Sequence, residues 1–189
     1  MTTNGSLPPP VTRHTITALV MDRPGVLNRV ASMFRRRGFN ISSLAVGSSE
    51  QPNLSRMTFV VDSTQADTVE QVTKQLRKII EVVKVSDLSA EDIVARELAL
   101  VKVKAPHSEH RAEIIQVVEL FRAKIVDVSA DTVVVEITGD EEKIESILTL
   151  LRGFGIVEIM RTGRVAMSRG KKAPLKPASS RSKAGASAN

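Results

Sequence analysis

The chain has 189 residues, 42% of them hydrophobic and 25% charged, enough for one ordinary domain or two small ones. It holds no Cys, Trp or Tyr and only five Phe, which excludes disulfides, thiol nucleophiles and Cys-bound zinc and leaves few rings to stack on single-stranded nucleic acid. The net charge of +6 belongs to the C-terminal end: six of the 27 bases lie in residues 169–189, which contain no acid, so the rest balances at 21 of each sign.

In chain order, residues 1–12 read as a disordered leader, with Pro8, Pro9 and Pro10 blocking regular structure. Alternation over Thr15 to Met21 predicts a strand. A helix over Val26 to Arg37 should bury Leu27, Val30, Ala31 and Phe34, with Arg35, Arg36 and Arg37 suited to its C-terminal dipole and Gly38 as its stop. Asn40 to Gly47 and Ser55 to Asp62 read as strands around a polar loop containing Pro52. Thr64 and Asp67 resemble a capping box before a second helix carrying Val69, Val72, Leu76, Ile79 and Ile80. Val82 to Leu88 completes a strand-helix-strand-strand-helix-strand unit, the ferredoxin-like pattern with an antiparallel sheet and two helices on one face.

The same order recurs after a polar connector at Ser89 to Arg96. Leu98 to Lys104 predicts a strand, and Ile114, Val117, Val118 and Phe121 a helix stripe. Lys124 to Ser129 and Thr132 to Thr138 read as a hairpin turning at Ala130-Asp131. Thr138 and Glu141 resemble a capping box before the stripe Ile144, Ile147, Leu148 and Leu151, and Gly153 to Arg161 reads as the closing strand. The expected class is α+β, two ferredoxin-like βαββαβ modules in tandem. Its domains are 13–88 and 97–170, joined by a linker at 89–96, with a disordered basic tail at 171–189.

The stretch Asp22-Arg23-Pro24-Gly25-Val26-Leu27 lies where the first strand meets the first helix. Amides in the first turn of a helix have no intrahelical partner and favour an anion, so an amino-acid carboxylate could bind there while Asp22 holds its ammonium. The same hexapeptide also reads as a plain tight turn. The second module has Ala105-Pro106-His107-Ser108 at this point, so a ligand site of this kind would belong to the first module alone.

No catalytic or metal set emerges. His107 and His110 stand beside Glu109 and Glu113 at a helix start, which reads as a solvated end rather than a metal site. Asp140-Glu141-Glu142 suits a helix dipole, Ser42-Ser43 lacks a nearby base, and Gly-rich phosphate loops are absent. No apolar run spans a bilayer and residues 1–10 lack a signal-peptide pattern, so a cytoplasmic protein is expected.

Asp22-x-Pro24-Gly25-x-Leu27, followed by a helix and Arg37-Gly38-Phe39-Asn40-Ile41, resembles the ACT domain of small-molecule sensors. With Ser43-Leu44, Leu54-Ser55-Arg56-Met57-Thr58 and Gly163-Arg164-Val165-Ala166-Met167-Ser168-Arg169-Gly170, the chain is similar to the regulatory (small) subunit of acetohydroxyacid synthase, also called acetolactate synthase, over about residues 13–170. The resemblance implies a non-catalytic subunit with no cofactor of its own. Thiamine diphosphate, a flavin (FAD) and magnesium would belong to its catalytic large-subunit partner. It implies activation of that partner and feedback inhibition by a branched-chain amino acid, usually valine. It also implies a homodimer through the ACT domain, with the effector held between Asp22, Gly25, Val26 and Leu27 of one subunit and Asn40 and Ile41 of the other. Family members often carry Asn at the position of Asp22.

Val26, Leu27 and Ile41 would offer an apolar wall to an isopropyl group, and the second strand should be a sheet edge that pairing with another chain would protect. A free-standing ACT-type amino-acid sensor acting on a different enzyme is the alternative. A nucleic-acid-binding sheet is disfavoured, since Phe59 is the single aromatic of the central strands and the excess charge lies in the tail.

Overall fold

The computed structural model describes residues 11–64 and 67–170. The expected tail at 171–189, and the leader up to residue 10, lie outside the described residues.

The first half runs β1 (Thr12–Met21), α1 (Val26–Arg37), β2 (Ile41–Ser48), β3 (Leu54–Ser63), α2 (Thr68–Leu76) and β4 (Val82–Asp87). Its antiparallel sheet has the order β2-β3-β1-β4, which leaves β2 at an edge. Ile16, Ala18 and Val20 of β1 and Met57, Phe59 and Val61 of β3 form one core with the helices. The alternate residues Thr15, Thr17, Leu19, Thr58 and Val60 face the other way and are buried as well.

The second half repeats the plan with β5 (Ile93–Lys104), α3 (Ser108–Leu120), β6 (Lys124–Val128), β7 (Thr132–Gly139), α4 (Glu141–Leu151) and β8 (Ile156–Arg161). Its sheet order is β6-β7-β5-β8. Ala99, Val101 and Val103 meet Val133, Val135 and Ile137 beneath α3 and α4, a core separate from the first. The two ferredoxin-like βαββαβ units are thus both present.

Several sequence expectations need correction in detail. Helix α1 buries Val26, Val30, Met33 and Phe34, so Ala31 and Leu27 point outward, Leu27 with 45% exposure. Val30 and Phe34 fit either phase of an apolar stripe, and the flanking apolar residues do not choose between them. Helix α2 stops at Leu76 because the chain tightens into bonds from Lys78 N–H to Gln75 O and from Ile79 N–H to Leu76 O. Ile79 still packs on the core, but Ile80 is exposed. The caps also fall elsewhere: Asp67, not Thr64, precedes α2, and Asp140, not Thr138, caps α4 by accepting from the Lys143 N–H at 2.9 Å. The closing strand starts at Ile156, after a 3-10 turn over Arg152–Phe154.

The largest departure concerns the connector. Residues 93–96 are the first part of β5, and they pair antiparallel with a strand the periodicity does not announce, β9 (Val165–Ser168). Strands β8 and β9 therefore follow β5 one after the other, separated by Thr162, Gly163 and Arg164. Thr162 holds the ladder together: its N–H donates to Leu98 O at 2.9 Å, and its Oγ1 accepts from the Leu98 N–H at 3.0 Å.

Candidate functional site

Strand β1 ends in a turn set by backbone bonds. The Asp22 N–H donates to Asn53 O at 2.8 Å, and the Arg23 N–H to Met21 O at 3.1 Å. Gly25 is the N-cap of α1 with φ 85° and ψ −8°, the left-handed region that glycine adopts without penalty. A Cβ built there would meet nothing within 4 Å. No side chain caps α1, and no acid lies in its first turn. The Val26 N–H reaches Arg23 O at 3.4 Å, while the amides of Leu27 and Asn28 have no acceptor among the described residues. These two amides lie at the positive end of the helix dipole, where negative charge is favoured.

The side chains around the turn divide into two groups. Asp22 and Leu27 are exposed and available to a ligand. Val26, expected in the apolar wall, is instead 4% exposed and packed into the first core. Its side chain cannot touch a ligand above the turn. Glu81 enters from the α2–β4 connection, which sequence reading passed over. Its carbonyl accepts from the Met21 N–H at 2.8 Å and its Oε1 accepts from Arg29 Nη1 at 2.6 Å. Its other carboxylate oxygen is buried without a partner among the described residues.

Asn40 and Ile41 lie elsewhere. Ile41 pairs with Val61, whereas Met21, beside the turn, pairs with Leu54. At about 3.3 Å per residue, the two groups sit roughly 20 Å apart at opposite ends of one sheet. Asn40 lines a polar cavity of about 500 Å³ with Phe39, Thr68 and Gln71. One chain therefore does not bring the six expected residues together.

The histidines and acids of the second half have other uses. His107 and His110 meet edge to face at 5.7 Å, and His110 also packs on Phe154 at 6.0 Å. Among the described residues no group of three His, Cys, Asp or Glu is placed to hold a metal. Glu141 bridges the two halves, with ion pairs to Arg13 of β1 and to Arg164. Those guanidiniums, Arg13 first, hold its carboxyl below the ordinary value of 4.5. Because the folded form has the lower pKa, this contribution to stability is complete above about pH 4.5 and fades as pH falls further. Glu141→Gln should accordingly destabilise the chain at pH 7, and that difference should shrink as pH falls below about 4.5, in urea unfolding followed by circular dichroism.

A βαββαβ sheet with a Pro-Gly turn opening its first helix, joined to a second unit of the same plan, is the architecture of an ACT-type regulatory protein. The sequence comparisons agree with it half by half. Residues 16–84 match the profile of the AHAS small subunit-like ACT domain, and residues 96–170 that of the small subunit of acetolactate synthase. The chain is 54% identical over 160 residues to a relative from Archaeoglobus fulgidus, covering 85% of this chain and 99% of that one. It is 52% identical over 157 residues to the acetolactate synthase small subunit of Mycolicibacterium smegmatis, covering 83% and 91%. The crystal structure of the acetolactate synthase small subunit from Thermotoga maritima superposes with a TM-score of 0.78 at 46% identity, covering 85% of this chain and 99% of that one. The chain belongs to the acetolactate synthase small-subunit family, whose members are regulatory rather than catalytic subunits.

Proposed function

We propose that the chain activates a thiamine-diphosphate-dependent catalytic large subunit of acetolactate synthase in the cytoplasm and makes it sensitive to valine or another branched-chain amino acid. In this reading FAD, magnesium and thiamine diphosphate reside on the large subunit. The observation that carries the effector part is the start of α1, where Gly25 in the left-handed region leaves the amides of Leu27 and Asn28 open above an uncapped helix. An amino-acid carboxylate suits those amides, and Asp22 suits the ammonium.

Two copies pairing antiparallel along β2 would complete the site. Such pairing brings the start of one β2 towards the end of the other, and so carries Asn40 and Ile41 towards the partner's Pro-Gly turn. It would also protect an edge on which Val46 is 48% exposed. Leu27 and Ile41 then remain as the apolar contacts for a branched side chain.

Calorimetric titration of the purified chain with valine, leucine and isoleucine tests the effector, and reconstitution with the large subunit tests activation and inhibition. Sedimentation should show a dimer at micromolar concentration; a monomer with and without valine would count against the shared site. The chain alone, given pyruvate and all three cofactors, should form no acetolactate. Turnover by a preparation free of large subunit would overturn the assignment.

A further inference from the structure

Gly163 lies so close to β2 that a Cβ on it would sit 2.1 Å from Leu44 O and 2.9 Å from Ala45 N. Both are backbone atoms, so no rotamer change could relieve the contact. The next residue continues the contact, with the Arg164 N–H donating to Ser43 Oγ at 2.8 Å. The segment between β8 and β9 is thus pressed against the edge strand of the first half, 121 residues away in sequence.

Around this crossing, charges alternate from one half to the other. Asp62 pairs with Arg13 at 3.0 Å, and Arg13 with Glu141 of α4. Glu141 pairs with Arg164, Arg164 with Glu97 at 3.2 Å, and Glu97 with Arg161 at 2.8 Å. Arg161 ends the series on Glu145 at 2.6 Å. Glu97 is 8% exposed and Arg164 15%. Burial opposes the charge of Arg161, and the carboxylates of Glu145 and Glu97 overcome it, so its pKa lies above the ordinary value. Isolated surface pairs contribute little, but Glu97 is buried, and loss of Arg164 takes away one of the two guanidiniums that offset its desolvation.

We propose that this crossing is a clasp that fixes the position of β2 to the C-terminal half, so that a displacement of the edge strand is passed through Ser43 and Leu44 to Gly163, Arg164 and α4. By linkage the coupling runs both ways: whatever alters the C-terminal half alters the readiness of β2 to pair or bind. The inference rests on these contacts alone and holds whether or not the turn at Gly25 binds a branched-chain amino acid.

Amide hydrogen exchange of the full chain, read by mass spectrometry at pH 7, tests it. Arg164→Gln removes the charge at the centre of the series. Glu97→Gln combined with Arg164→Gln removes the buried carboxylate together with one of its guanidinium partners and serves if the single variant misfolds. In the folded variant, exchange over residues 41–48 should rise at least about fivefold, the low end of allosteric coupling, together with that over residues 156–168. Ser43→Ala should accelerate both regions in the same direction. Lys74→Gln, which removes an exposed pair with Glu70 within α2 and outside both regions, should change neither. Faster exchange confined to residues 156–168, or no change in either region for a folded variant, would overturn the clasp.

Discussion

Gly25→Asp is expected to abolish valine inhibition of the reconstituted holoenzyme while leaving activation by the chain largely in place. Any residue other than glycine at φ 85° carries a backbone cost of about 1–2 kcal/mol, and Asp is among the side chains that tolerate this region best. The space around a Cβ is open, so strain is confined to the backbone. The new carboxylate can accept from the amides of Leu27 and Asn28, which caps the helix and occupies the place of the effector carboxylate. Repulsion between the two carboxylates adds to the block. Gly25→Asn carries the same backbone cost without the charge, so a much weaker effect in that variant separates electrostatics from strain. The measurement is a valine inhibition curve for each complex, with a melting temperature for each chain. Unchanged inhibition in Gly25→Asp would mean that the Pro-Gly turn is only a turn.

The second large effect should come from Phe34→Ala. Phe34 is 2% exposed, stacks on Phe59 with ring centres 5.3 Å apart, and meets Phe39 edge to face at 6.3 Å. Removing a buried Phe typically costs about 3–5 kcal/mol, against a total stability of about 5–15 kcal/mol for a domain. The second core shares no residue with the first, so the loss should fall on the first half. Thermal unfolding should show the first half melting early, and effector binding should disappear with it. A loss below about 1 kcal/mol would contradict the packing described.

The repeated βαββαβ order was legible because each element carries its own period: β1 alternates, and the α4 stripe of Ile144, Ile147, Leu148 and Leu151 is buried throughout. The Pro-Gly turn was legible as a helix start, but not the left-handed backbone of Gly25, since glycine permits either sign of φ. Leu27 and Ala31 were placed on the buried face because the α1 pattern fits two phases. Strand β9 was missed for a different reason. Its partner, Ile93 to Arg96, lies some 70 residues earlier, and two short segments do not announce their pairing. The ion series is of the same kind. Glu141 looks like any acid in a first helical turn, and nothing near it in sequence points to Arg13, 128 residues away. The family resemblance, unlike periodicity, singles out Gly163-Arg164 and Ser168-Arg169-Gly170, which make contacts to Leu44, Ser43, Glu91 and Asp92.

The crossing at Gly163 also orders events during synthesis. A ribosome delivers Thr12 to Asp87 first, and these residues contain every strand and helix of the first sheet. Yet Ser43, Leu44 and Arg13 complete their contacts only when Glu141, Gly163 and Arg164 emerge. Until then the apolar groove around Ala45, Gly47 and Thr58 lacks the wall that Val165 and Met167 provide. The nascent first half must therefore wait, with this surface uncovered, until residues 163–167 emerge. Contacts of such long sequence separation slow folding and prolong exposure to wrong partners. β9, the last strand among the described residues, is consequently the piece that covers this surface, while the outer edge of β2 stays open to a second chain.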